Sequence, residues 1–313
     1  VRWGEKRYNN FNGHLRQVFG EKVFKVPLDA GFTCPNRDGT LGSGGCVYCS
    51  ARGSGDFAGE QGKSISAQFA QVKEQMRKKW PKGKYLAYFQ AYTNTYAPVV
   101  RLREVFEEAL AQEGVVGLAI ATRPDCLPND VLDYLQELHE RTYLWVELGL
   151  QTIHGRSLAW MRRGHDYSAF LEGLGKLRQR GVRVCAHLIL GLPGEGRQDI
   201  MATAEAVARL PLQAIKLHLL HVLKGTPLAE IYEREPFPLL TKEEYVTYVA
   251  DILEILPPET IIQRLTGDGP PNDLIAPFWS LRKWEILNAI DKELSERDSW
   301  QGHRSTQADG EMP

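Results

Sequence analysis

Three cysteines, Cys34, Cys46 and Cys49, lie in one glycine-rich stretch as C-x11-C-x2-C, and an aromatic residue, Tyr48, immediately precedes the last. Clustered thiolates bind metals. Four would close a structural zinc site, whereas three without an adjacent histidine leave one coordination position open. An iron–sulfur cluster with one iron left over suits that pattern, because the spare iron can bind a substrate or cofactor. Structural zinc completed by a distant histidine such as His14 is the competing reading. The stretch Asp29-Ala-Gly-Phe-Thr-Cys34-Pro-Asn-Arg-Asp-Gly39 follows an apolar run, so the thiols sit just past a strand, a placement that argues for chemistry. Gly39, Gly42, Gly44 and Gly45 let the backbone wrap closely around a bound group and adopt positive φ.

The thiols need a rigid frame. Apolar runs at Val23–Phe32, Tyr85–Tyr92, Val115–Thr122, Tyr143–Gln151, Val182–Leu192, Ala214–Leu223 and Thr260–Leu265 read as strands covered on both faces. Helical stripes alternate with them: Phe69, Val72, Met76 and Trp80; Val131, Leu135 and Leu138; Phe170, Leu174 and Leu177; Tyr245, Val249, Ile252 and Leu256. Thr241-Lys-Glu-Glu244 reads as a capping box, and Gly181 ends the 167–180 helix. Six or seven such units predict an α/β fold, a partial parallel (β/α)6-type TIM-like barrel with an extra C-terminal strand and helix. A flat doubly wound sheet is the alternative. The last stripe, Leu281, Trp284, Leu287, Ile290 and Leu294, is expected to pack across the barrel. Residues 1–300 then form one domain, and 301–313 a polar, disordered tail.

In such a frame functional residues gather at the carboxyl ends of the strands. There the chain places Gln90-Ala-Tyr92-Thr-Asn94, Thr122-Arg123-Pro-Asp125, Glu147 with Gln151, and His187 ahead of Ile189-Leu-Gly191-Leu-Pro-Gly194. Lys216, His218 and His221 follow, then Arg264-Leu-Thr-Gly-Asp268. A charge inside an apolar strand is costly unless paired or functional, which singles out Glu147 and Lys216. Polar filling, with Glu147 paired to Lys216 or Arg123, is the plainer reading. His187 and His218 likewise suit hydrogen-bonded core positions, and Cys126 and Cys185 read as small core residues.

Together these motifs resemble the radical S-adenosylmethionine superfamily, whose usual thiol loop has a shorter first gap, C-x3-C-x2-C. The long gap, the Glu147-Leu-Gly-Leu-Gln-Thr152 strand and the Leu190-Gly-Leu-Pro-Gly-Glu195 turn resemble the branch containing the Elongator catalytic subunit. The Asp29–Gly39 opening and the Arg264–Asp268 ending are similar to bacterial proteins of the YhcC/YtqA type. The resemblance implies that Cys34, Cys46 and Cys49 each ligate one iron of a [4Fe–4S] cluster and that the fourth iron chelates S-adenosylmethionine. Cleavage by one electron would give a 5′-deoxyadenosyl radical. It also places Tyr48, Gln90, Tyr92 and Asn94 near the cofactor, Glu147 and Gln151 against its ribose and methionine, and Ile189 and Gly191 against adenine. This chain has Gln-Ala-Tyr where the family's second strand carries a Gly-Gly pair. Flavodoxin or ferredoxin is the usual electron donor, and an exposed cluster implies oxygen sensitivity.

The Elongator-like branch acts on the wobble uridine of transfer RNA, so the resemblance implies a tRNA-modifying enzyme. One form of it trims a carboxymethylaminomethyl group on that uridine to aminomethyl, with hydrogen abstracted from a methylene flanked by nitrogen and carboxylate. Lys216 or Arg264 would hold the carboxylate by a charge-assisted hydrogen bond. His218 and Asp268 complete the candidate catalytic set. Two basic clusters with interleaved aromatics, Lys73 to Lys84 around Trp80 and Arg2 to Arg16 around Trp3, Tyr8 and Phe11, would meet phosphates and bases. A solvated helix face is the plainer account of the first. A small metabolite or peptide substrate, or a non-catalytic iron–sulfur or zinc module, are the other readings.

With 38 basic and 39 acidic residues the formal net charge is −1, so any nucleic-acid surface must be a local patch. Five cysteines, three of them clustered, speak against a disulfide framework and for a reducing, cytoplasmic setting. No apolar run is long enough for a membrane helix, and Val1-Arg-Trp-Gly-Glu carries no secretory signal pattern.

Overall fold

The computed structural model describes residues 3–53, 55–77 and 82–305. Arg2, Lys78, Lys79, Trp80 and the tail beyond 305, all named above, lie outside the described residues.

The chain opens with α1 (Phe11–Phe19), where the Asn10 side chain accepts from the Gly13 amide and Gly20, at φ 73°, turns the chain away. Then come β1 (Val23–Leu28), α2 (Ile65–Arg77), β2 (Lys84–Phe89), α3 (Val99–Leu110), β3 (Val115–Thr122), α4 (Asn129–Arg141) and β4 (Tyr143–Gln151). Next are α5 (Gly155–Trp160), α6 (Tyr167–Gln179), β5 (Arg183–Leu190), α7 (Arg197–Ala208), β6 (Ala214–Leu219), β7 (Val222–Leu223) and α8 (Pro227–Arg234). α9 (Lys242–Ile255) starts at the expected Thr241/Glu244 capping box. β8 (Ile261–Arg264), β9 (Leu274–Ala276), a 3-10 turn at Phe278–Leu281 and α10 (Lys283–Glu296) complete the order.

Seven strands form one parallel sheet in the order β1-β2-β3-β4-β5-β6-β8. The order never reverses, so there is no switch point of the doubly wound kind. The sheet curls in one direction and β1 does not pair with β8, which leaves the barrel open. This is the expected partial barrel, with β8 and α10 as the added strand and helix.

Side chains alternate across each strand. One set, including Val26, Ala87, Ile120, Val146 and Leu217, packs beneath the helices in the main core. The other set puts Val23, Leu86, Ala119, Trp145, Cys185, Ala214 and Ile261 into a second core with Phe11 and Leu15 of α1. α1 therefore plugs the amino end of the barrel. The next inward positions up the strands are Lys25, Tyr88, Ala121, Glu147, His187, Lys216 and Gln263, so the polar layer sits directly above an apolar plug. The Ile262 amide donates to the Asn9 carbonyl at 2.7 Å, and the N-terminal segment thereby covers the edge of β8.

Two expectations are corrected at the C-terminus. In the last stripe Ile290 and Leu294 are buried and joined by Ile286, but Trp284 is 76% exposed and Leu281 39%. The helix begins only at Lys283, which turns Trp284 outward. The packed chain also runs past 300. Gln301 is buried, its side-chain amide donates to the carbonyls of Pro257 and Thr260, and Arg304 pairs with Glu254 at 2.6 Å. No helix among the described residues is long and apolar enough to cross a membrane.

Candidate active site

A cavity of about 570 Å³ opens at the carboxyl ends of the strands. The loop between β1 and α2 brings Cys34, Cys46, Tyr48 and Cys49 to it; β6, β8 and the turn after β8 bring His218, His221, Arg264 and Asp268.

The Cys46–Cys49 segment is strapped on both sides. The Val47 amide donates to the Met161 carbonyl at 3.0 Å, and the Leu228 amide donates to the Val47 carbonyl at 2.9 Å. Asn36 donates to the carbonyls of Arg162 and Arg163, both at 2.9 Å, and toward the Cys46 Sγ at 3.5 Å. Arg163 is buried, with Nη1 3.6 Å from that sulfur and Nη2 on the Gly149 carbonyl at 3.1 Å. Gly149 leaves room for that guanidinium: a Cβ would stand 2.3 Å from Arg163 Nη2, so the arginine would have to shift. Burial opposes the Arg163 charge, yet Tyr48 and the cysteines hold its pKa above the ordinary arginine value. Its Nε is buried without a partner among the described residues.

No disulfide joins the cysteines. No three His, Cys, Asp or Glu side chains among the described residues converge on one point where a single metal ion would sit. His14, the proposed fourth ligand for zinc, instead meets the Tyr143 hydroxyl at 2.8 Å, at the amino end of β4. A multi-iron cluster fits better. It asks for thiolates on separate irons, and its sulfurs accept hydrogen bonds of the kind that Asn36 and the orphaned Arg163 nitrogen can supply.

Below the thiols lies the polar layer. Glu147 is 0% exposed; Lys25 donates to its Oε1 at 2.6 Å, His187 meets Oε2 at 2.9 Å, and Lys216 pairs with the same oxygen. Lys216 also donates to the Tyr88 hydroxyl at 3.1 Å, and Lys25 to Gln263 at 2.7 Å. Burial alone would favour the neutral acid, but Lys216, Lys25 and His187 hold Glu147 ionised, well below the usual carboxylate range. Burial, with Lys216 beside it, pushes His187 down to about 4.

The Lys216 ammonium is pushed from its ordinary 10.5 down to about 7, by burial first and against the pull of Glu147. The unfolded chain keeps that proton up to 10.5, so between about 7 and 10.5 it binds more protons than the fold does. Stability is therefore expected to rise with pH across that window, as the cost of a buried ammonium is relieved. Melting temperatures of the native protein and Lys216→Met, compared over that range, check this. Parallel curves would show that Lys216 keeps its proton in the fold.

Of the side chains nominated from sequence, Cys34, Cys46, Cys49, Tyr48, Gln90, Tyr92, Glu147, Gln151, Ile189, His218, Arg264 and Asp268 line the cavity. Three do not. Asn94 is fully buried and donates to the carbonyls of Phe89, Ala91 and Ala121, fastening the turn after β2. Gly191, at φ 83°, packs against Leu240. Lys216 lies beneath the cavity, committed to Glu147 and Tyr88. Glu147 reaches the floor, but both of its oxygens are engaged by the barrel's own cations. Asp268 is paired with Lys283 at 2.6 Å. Cys126 and Cys185 are buried, and burial pushes the Cys126 thiol up to about 12.

Sequence reasoning missed Lys25, Asn36 and Arg163. Lys25 could have been found, since it is a charge inside an apolar strand like Glu147 and Lys216. Among the described residues, no member of either basic cluster lines the cavity. Lys84 begins β2 and pairs with Glu21, while Lys73 pairs with Glu113, on the amino side of the barrel. Lys6 pairs with Asp291, and Tyr8 and Phe11 are buried.

Comparison with known proteins gives the same picture. The Radical SAM superfamily matches residues 34–207 and the Radical SAM C-terminal domain residues 212–296. The Bacillus subtilis protein YtqA is 59% identical over 298 residues, 95% of this chain and 92% of its own. A tRNA uridine(34) acetyltransferase of Methanocaldococcus jannaschii is 26% identical over 168 residues, 53% of this chain and 30% of that protein. The solved structure of the archaeal Methanocaldococcus infernus Elp3 has the same fold, with TM-score 0.67 at 18% identity, covering 89% of this chain and 64% of that one. Members of the radical S-adenosylmethionine superfamily work with a [4Fe–4S] cluster and S-adenosylmethionine, and it is to this family that the chain belongs.

Proposed function

We propose that this enzyme modifies the wobble uridine of transfer RNA, and that Cys34, Cys46 and Cys49 hold its [4Fe–4S] cluster. The observation that carries the reading is the 168-residue likeness to a protein whose name states action on uridine 34 of tRNA. A cavity of about 570 Å³ is in the range of small-ligand sites.

When bound, the cluster and S-adenosylmethionine supply a 5′-deoxyadenosyl radical that takes a hydrogen atom from the substrate. The chain's own work is to hold and to shield. Arg163 and Asn36 direct N–H groups at Cys46. Tyr92, at φ 61°, lays its ring on Gly53, where a Cβ would come within 2.4 Å, and so ties the turn after β2 to the thiol loop. Gln90, Gln151 and Ile189 would meet the cofactor along the strand ends.

In the finer form of the reading the uridine carries a carboxymethylaminomethyl group, and the product is aminomethyl. Hydrogen loss from the methylene between nitrogen and carboxylate leaves a carbon radical stabilised by both neighbours. Loss of one electron to the flavodoxin- or ferredoxin-type carrier, and of the N–H proton, leaves a C=N bond. Addition of water then releases glyoxylate and the primary amine.

Reduced, cluster-loaded enzyme with S-adenosylmethionine and tRNA bearing that group is expected to form aminomethyluridine and 5′-deoxyadenosine in equal amounts, read by nucleoside mass spectrometry. 5′-Deoxyadenosine formed while every nucleoside stays unchanged would remove tRNA as the substrate.

A further inference from the structure

Inside the barrel cations outnumber anions. Lys25 and Lys216 share the single carboxylate of Glu147. Arg264, at the end of β8, lines the same cavity, and no hydrogen bond or ion pair among the described residues engages its guanidinium. The carboxylate nearest in sequence, Asp268, is taken by Lys283. Beside Arg264 stand His218 on β6 and His221 just beyond, each with a buried Nε2 that has no partner among the described residues. The turn after β8 is drawn tight against both rings: a Cβ on Gly267 would stand 3.3 Å from His218 Nδ1 and 3.3 Å from His221 Cε1. Two buried imidazole nitrogens without a partner among the described residues carry a desolvation cost that a bound acceptor would relieve, and the guanidinium beside them has no counter-ion among those residues.

We infer that Arg264, flanked by His218 and His221, is an anion subsite on the wall built by β6 and β8, and that it takes the carboxylate of the substrate's side group. This rests on the wobble-uridine reading and selects the carboxylate-bearing form of it. Lys216 is not the recognising group, because Glu147 and Tyr88 already occupy its ammonium. The planar guanidinium can meet a carboxylate with two parallel hydrogen bonds, which an ammonium cannot. S-adenosylmethionine also carries a carboxylate, so the test must separate the two sources.

The first arm uses the unmutated, cluster-loaded protein. Phenylglyoxal attacks accessible guanidinium groups, and peptide mapping reads the adduct at Arg264. N-methylglycine, which carries the same nitrogen–methylene–carboxylate unit, is expected to slow that adduct severalfold, while methylamine does not. In the second arm anticodon stem-loops carrying carboxymethylaminomethyluridine or aminomethyluridine are titrated onto oxidised enzyme with S-adenosylmethionine present. The native protein is expected to prefer the carboxylate form about tenfold or more, and Arg264→Gln to bind the two alike. No protection by N-methylglycine, with the preference intact in Arg264→Gln, would overturn the subsite. So would full protection of Arg264 by S-adenosylmethionine alone, since the anion would then be the cofactor's own. Protection without measurable binding of either RNA would keep the subsite and sink the tRNA reading instead.

Discussion

Cys46→Ala is expected to reduce 5′-deoxyadenosine formation to background, and Cys34→Ala and Cys49→Ala to do the same. If the three thiols form one ligand set, each single variant should be as inactive as the triple one; residues that work as a unit are not additive. Iron and sulfide retained after anaerobic reconstitution should fall in step with product. Arg163→Met is the informative companion. It leaves every thiol in place but removes the buried N–H groups beside Cys46. A loss of roughly 10–100-fold in activity or cluster retention is expected, the usual cost of removing a group that supports a metal ligand. Full product from any of the three cysteine variants would take that residue out of the cluster's ligand set. An Arg163→Met protein indistinguishable from native would confine Arg163 to packing.

The second large effect is on stability. Glu147→Gln leaves Lys25 and Lys216 facing each other around Tyr88 with no carboxylate between them. Breaking a buried pair in this way costs about 3–5 kcal/mol. Below about pH 7, where Lys216 keeps its proton, the double variant Glu147→Gln/Lys216→Met should recover part of the loss, because it removes one of the stranded charges, with a coupling of about 0.5–3 kcal/mol. Denaturant midpoints for the four proteins close the cycle. The resemblance also places Glu147 against the ribose and methionine of the cofactor, and the same variants separate that role. If cofactor contact is its main work, Glu147→Gln raises the KM for S-adenosylmethionine and leaves the midpoint where it was. A lowered midpoint with unchanged KM assigns Glu147 to the barrel's internal ion pairs.

Much of the frame was readable because its signal is local. Each apolar run holds a strand of the sheet, shortened where the chain must turn into the site: Val23–Phe32 ends as a strand at Leu28, and Ala214–Leu223 breaks at Leu219 before the separate short strand β7. The turn glycines were harder. Gly39 and Gly45 have φ of 93° and 75°, while Gly42 and Gly44 do not adopt positive φ. The glycines that matter most for packing near the thiols, Gly53 under Tyr92 and Gly149 under Arg163, make room for side chains from elsewhere in the chain. No local pattern marks such a position.

The chain by itself settles the C-x11-C-x2-C thiols, the alternation of strand and helix, and with them the family and its cofactors. Those features depend on residue type and on spacing along the backbone, both of which are local. Only the tertiary structure decides which charges meet. Lys25 reaches Glu147 across 122 residues, Glu147 reaches Lys216 across 69, and Arg163 reaches Cys46 across 117. Strand register and the curl of the sheet set those meetings. They commit Lys216 and Asn94 to the scaffold and leave Arg264 at the cavity without an ion-pair partner among the described residues.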